Sequence, residues 1–254
     1  MPRVRVDDIR IYYEIRGKGE PLLVIWGIGG EVPSLSAALA EKVQGRYRVI
    51  TFDNRGSGRT DKPDVPYSIE QMAVDTVGLM DAIGIPGVHL LGISTGSRIA
   101  LAVAARSPER VRSLILNVAA ARSPDRDDPV AAGAFERLRT AMTQPGFAER
   151  TLAHPPTIAS FLRQFEALRT FDGRPLLGRI RCPVLIVNGT RDTSVPVGYA
   201  EELRAGIPDA RLVFVESDHL VARTDPDLLL DPALAFLREV EETAEPGETN
   251  TAAE

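Results

Sequence analysis

Three residues that together could activate an oxygen nucleophile stand far apart in the chain, at Ser94, Asp192 and His219. A serine hydroxyl attacks a carbonyl efficiently only when a base takes its proton. The base in turn needs an acid that fixes its tautomer and stabilises the imidazolium. Ser94 stands in Gly92-Ile93-Ser94-Thr95-Gly96, after an apolar run at 88–91 and before a segment of helical spacing that begins at Ser97. Such a pentapeptide occurs often by chance, but here it has the strand, turn and helix that a G-x-S-x-G elbow requires. Glycines without a Cβ let the chain reverse sharply and hold the hydroxyl above the edge of a sheet.

The chain has 3 histidines from which to choose a base. His89 falls inside an apolar run and reads as a core residue, and His154 lies in a stretch of helical character. His219, in Ser217-Asp218-His219-Leu220, follows an apolar run at 212–215 and precedes the last helix. Asp192 follows the run 184–187 across the turn Asn188-Gly189-Thr190-Arg191. All three residues are thus expected at the carboxyl ends of strands, where open α/β sheets bind ligands. The blander alternatives are that Asp192 caps the helix after Pro196 and that His219 is a solvated loop residue. Asp218 and Asp125 compete as the acid. Asp218 ranks lower because neighbouring loop residues seldom point together, and Asp125 because it lies several residues past its strand.

A tetrahedral intermediate also needs preorganised N–H donors for its oxyanion. The amide of Thr95, directly after the serine, is one candidate. A second is the amide of Ile28 in the turn Trp26-Gly27-Ile28-Gly29-Gly30, which could otherwise be a turn with no role.

These residues need a scaffold, and the periodicities describe one. Residues 3–15 alternate in the two-residue manner of an antiparallel hairpin, with Asp7-Asp8 at its turn. Unalternating apolar runs at 21–26, 48–52, 88–91, 111–116, 184–187 and 212–215 fit strands covered on both faces, as in a parallel sheet. Between them, 35–43, 69–83, 97–105, 197–205 and 228–240 have helical spacing, so the chain reads as one α/β domain spanning 1–240. The rhythm breaks at about 121–173, where apolar residues recur at helical spacing. Pro145-Gly146 and His154-Pro155-Pro156 divide this insertion into about three short helices. Residues 241–254 lack large apolar side chains and read as a disordered tail.

Composition narrows the function classes. A net charge of −5 and a pI near 5.4 argue against a nucleic-acid partner. A lone cysteine, Cys182, can form neither an internal disulfide nor a cysteine-based zinc cage. The N-terminus has no signal-like apolar region, and the run at 21–25 is far short of the roughly 18 residues of a spanning helix. A soluble, cytoplasmic protein without a membrane partner is expected, as a monomer or homodimer.

On these motifs the chain resembles the α/β-hydrolase superfamily up to the start of the tail. The order Ser94, Asp192, His219 is the order of that family. Phe52-Asp53-Asn54-Arg55-Gly56-Ser57-Gly58-Arg59-Thr60 resembles its Asp-x-Arg-Gly-x-Gly-x-Ser/Thr loop, and Ile180-Arg181-Cys182-Pro183-Val184-Leu185 its lead into the acid-bearing strand. Neither segment is assigned a catalytic role. Three positions depart from the pattern: Trp26 stands where His is usual, Ser97 where a second Gly is usual, and no Gly precedes His219.

The resemblance implies a mostly parallel sheet with an N-terminal antiparallel hairpin and a small helical cap. It also implies a serine hydrolase of the small-cap esterase or enol-lactone hydrolase kind, using no metal and no organic cofactor. Its substrate would be a small to medium, moderately apolar ester or lactone, held by Trp26 and by Phe135, Met142, Phe161 and Phe165 of the cap. The same cap residues could instead pack against the main domain, and Trp26 could simply pack in the core, the reading that is favoured for it. Two other functions stay open on this scaffold: a cofactor-free lyase, cyclase or perhydrolase, and a small-molecule receptor or signalling module.

Overall fold

Apolar runs become central strands where helices cover both of their faces. The computed structural model describes residues 2–31, 39, 41–43 and 45–244. In it, eight strands form one sheet in the order β1-β2-β4-β3-β5-β6-β7-β8. β1 (Arg3–Val6) and β2 (Ile9–Gly17) form the antiparallel hairpin, and β2 pairs antiparallel with β4 (Tyr47–Phe52). β3 (Glu20–Ile25), β4, β5 (Val88–Ile93), β6 (Val111–Asn117), β7 (Val184–Gly189) and β8 (Ala210–Val215) all run parallel. β5 and β7 are buried at every position, whereas the outermost strand, β8, is only half covered.

Helices α1 (Ile69–Ala82), α2 (Thr95–Arg106) and α6 (Val197–Gly206) contribute Leu79, Ile99, Val103 and Leu203 to a core on one face of the sheet. On the other face, α8 (Asp227–Ala244) lays Leu229, Leu230, Phe236 and Leu237 against Val24, Leu91 and Val187. Leu39, Glu41 and Lys42 of the expected helix at 35–43 are helical; its residues 35–38 and 40 lie outside the described residues.

α3 (Pro129–Thr143), α4 (Phe147–Thr151) and α5 (Ile158–Thr170) occupy the stretch between β6 and β7. The caps are local: Asp128 accepts the amides of Val130 and Ala131, and Thr157 accepts that of Ser160. One boundary differs from the sequence reading. α8 continues through Ala244, four residues into the expected tail, because Glu241 is held by Arg46 at 2.7 Å. Residues 245–254 lie outside the described residues. No described helix is long and apolar enough to cross a membrane.

Candidate active site

β5 delivers Ser94 at its carboxyl end, and the chain turns at once into α2. Ser94 sits at φ 55°, ψ −116°, a left-handed strain rare for a residue with a side chain. Gly96 permits the turn, since a Cβ there would come within 2.1 Å of the Ile25 carbonyl oxygen. Ser97, the departure from the usual glycine, has a positive use. Its hydroxyl lies 2.7 Å from Gly92 O and 2.9 Å from Asn117 O, so it ties the helix start to β5 and β6. The backbone N–H of Ser94 also donates to Asn117 O at 2.9 Å, fixing the elbow from a second side.

The loops after β7 and β8 meet because Gly189 leaves room. A Cβ on Gly189 would sit 2.3 Å from the Ser217 carbonyl oxygen. This contact brings Asp192 and His219 together across 27 residues of chain: His219 Nδ1 is 2.8 Å from Asp192 Oδ2. On the other side of the ring, Nε2 is 2.9 Å from Ser94 Oγ. An ionised carboxylate only accepts, so Nδ1 carries the proton and Nε2 is free to accept from the serine hydroxyl. Asp192 does cap its own loop, through Oδ1 to the amides of Ser194 and Val195 at 2.8 Å each, and it binds His219 as well. The Asp192 side chain is wholly buried, while that of His219 keeps 24% of its surface exposed toward the cavity.

The other candidate acids and bases are placed elsewhere. Asp218 accepts the amide of Leu220. Asp125 is bound by Ser123 and by Arg169 at 2.6 Å. His89 is buried against Ser113, at 2.8 Å, and His154 pairs with Glu31. Burial pushes the Cys182 thiol up to about 11, which keeps it protonated near neutral pH. Arg55 joins Asp75 of α1 to Asp8 of the first hairpin.

Ser94 and His219 open into a cavity of about 410 Å³, also lined by residues 26–30 and by Leu138, Met142, Phe147, Thr151 and Leu152. Of the side chains expected to hold substrate, Trp26 and Met142 line it. The Trp26 indole is also packed in the core and is 6% exposed. Phe135, Phe161 and Phe165 do not line the cavity. Their rings meet tilted, with centroids 5.9–6.0 Å apart, and fill the interior between α3 and α5. A helical apolar stripe marks a buried face, and here that face meets the neighbouring helix.

The N–H of Thr95, as the first residue of α2, has no intrahelical acceptor and lies beside Ser94. Ile28 belongs to the loop that lines the cavity opposite, and Gly27 packs so closely that a Cβ on it would be 3.3 Å from Ser94 Cβ.

Two residues that the sequence reading did not single out hold this loop. Gln164 of α5, 3% exposed, accepts the Gly29 N–H at 3.0 Å and donates to Arg55 O and Ser57 Oγ. Glu31 accepts the amides of Ala153 and His154 at 2.7 and 2.8 Å. Both bonds span more than a hundred residues of chain, and no local pattern signals them.

Comparison with known proteins agrees with this architecture. A family model described as the alpha/beta hydrolase fold matches residues 20–170. A protein of Azorhizobium caulinodans named "Putative carbamate hydrolase RutD" is 32% identical over 270 residues, covering 95% of this chain and all of the relative. Among solved structures, the enol-lactonase from Burkholderia xenovorans superposes with a TM-score of 0.81 at 25% identity, covering 93% of this chain and all of that one. A thermophilic esterase from Thermogutta terrifontis, with malate bound, gives a TM-score of 0.78 at 26% identity, covering 94% and 99%.

Proposed function

The chain belongs to the alpha/beta hydrolase fold family and is a hydrolase, and from that premise we propose that it cleaves a small to medium, moderately apolar carboxylic ester or lactone through an acyl-serine intermediate. The observation that carries this reading is the hydrogen-bonded line from Ser94 through His219 to buried Asp192, open to a cavity at its serine end.

In the proposed reaction, His219 Nε2 takes the Ser94 proton as Oγ attacks the carbonyl carbon. The amides of Thr95 and Ile28 stabilise the oxyanion, each contributing roughly 2.7–4 kcal/mol. His219 then returns its proton to the departing alkoxide, which leaves acyl-Ser94. A water deprotonated by His219 attacks this ester, and collapse releases the carboxylic acid and regenerates Ser94. The mainly apolar side chains of the cavity favour a substrate with an apolar body.

A fluorophosphonate probe tests the first step directly. Intact mass and peptide mapping are expected to find one adduct, on Ser94, and none in Ser94→Ala. Absence of an adduct in the folded wild type would remove Ser94 as nucleophile. The name of the Azorhizobium relative supports a second reading, in which the substrate is a carbamate and Ser94 carries a carbamoyl group. The same atoms would attack it, so assaying a carbamate beside a carboxylic ester of matched size separates the two.

A further inference from the structure

The cavity beside Ser94 is walled by backbone and mostly apolar side chains, and the one guanidinium among its described lining residues is that of Arg223. No Asp, Glu or Lys lines it among the described residues. Arg223 stands in α7 (Val221–Thr224), the short helix that follows the base within two residues. Its own N–H donates to Leu220 O at 2.7 Å, so the wall carrying His219 and Leu220 also carries this cation.

Acids outnumber bases in the chain, 35 to 30, and many arginines are matched to them. Arg55 binds Asp8 and Asp75, Arg122 binds Asp127 and Glu202, and Arg169 binds Asp125. The Arg223 side chain has no hydrogen bond or ion pair to any described residue. Arg223 is exposed, and its fork of donors, shaped to take both oxygens of a carboxylate, is unpaired at the border of the cavity.

We propose that Arg223 binds an ionised carboxylate on the substrate, so that the ester or lactone opened at Ser94 belongs to a molecule with a second, free acid group. This deepens, and rests on, the serine-hydrolase reading above. The carboxylate takes no part in bond making; it anchors the substrate while the scissile carbonyl meets Ser94.

Monoethyl adipate and ethyl hexanoate differ only in whether the chain ends in a carboxylate or a methyl group, and they are the probes. The readout is the ratio of kcat/KM for the anionic to the neutral ester. Arg223→Gln is expected to lower this ratio about tenfold, mainly through KM for monoethyl adipate. Arg223→Lys, which keeps the charge and loses the fork, is expected to lower it less. An unchanged ratio in Arg223→Gln overturns the proposal. Failure of the serine reading would show separately, as a Ser94 that the fluorophosphonate does not label. In that event, calorimetric binding of monoethyl adipate with and without Arg223→Gln decides: about tenfold weaker binding supports the carboxylate site, and no difference overturns it.

Discussion

At the scale of single residues, the decisive fact is that Asp192 uses both carboxylate oxygens, one on its own loop and one on His219. In Asp192→Asn the amide could keep its oxygen toward Ser194 and Val195, and its NH2 would then face Nδ1. The imidazole would be driven to place its proton on Nε2, where it can no longer accept from Ser94. Turnover is expected to fall roughly 10⁴-fold, the scale of this change in another triad of the same logic, with the fold retained. Asp218→Asn touches only an exposed turn that accepts Leu220 N–H and should cost less than tenfold. Ester turnover with circular dichroism on both variants checks the assignment, and the opposite ranking would move the acid to Asp218.

At the scale of elements, hydrogen bonds tie the helices between β6 and β7 to the loop around Ile28. Gln164 reaches from α5 to Gly29 and to the loop carrying Arg55 and Ser57, while Glu31 grips the backbone before α5. Gln164→Met keeps much of the volume but leaves a buried Gly29 N–H without an acceptor, a cost of about 1–3 kcal/mol that the loop can avoid only by shifting. Because Ile28 is the next residue, its proposed oxyanion donor shifts too. The expected result is a kcat about tenfold or more lower with a smaller change in KM, since the oxyanion forms after binding. A raised KM at unchanged kcat would instead make Gln164 part of substrate binding.

What could be seen in advance divides along the same line. β5, its elbow and the two loops carrying Asp192 and His219 were legible because periodicity and short motifs are local signals. Gln164 and Glu31 were not, because a single polar residue becomes meaningful only when folding brings its distant partner close. The Phe135, Phe161 and Phe165 stripe showed a buried face without showing what buries it.

At the scale of the whole molecule, a polar cluster near the amino ends of the strands lies opposite the edge that carries Ser94, Asp192 and His219. There α8 packs Glu241 toward His89, whose Nε2 is 3.7 Å from Glu241 Oε1 and whose Nδ1 contacts Ser113. The ring stands edge-on to Tyr47. Burial lowers the pKa of His89 below its ordinary value; Arg112 adds to this, while Glu241 and Glu20 oppose it. The fold therefore holds His89 neutral, whereas the unfolded chain protonates it below about pH 6.5. Between the lowered folded value and about 6.5 the unfolded state binds more protons, so stability is full above that window and is lost as the pH falls through it.

Asp8 and Asp172 act lower on the scale. Hydrogen bonds from Arg55 and Arg174 depress their pKa values, so their contributions persist until below about pH 4. Thermal unfolding should thus show two acid steps, the upper one from His89. A one-proton difference limits its slope to about 1.4 kcal/mol per pH unit, or roughly 3–6 °C in Tm for a chain of this size. His89→Gln removes the titrating ring and leaves His154 and His219 in place. Whatever its Tm at pH 7.5, the drop in Tm between pH 7.5 and 5.5 is expected to be smaller in His89→Gln than in the wild type. An equal drop in both proteins would mean that the fold does not hold His89 neutral across that range.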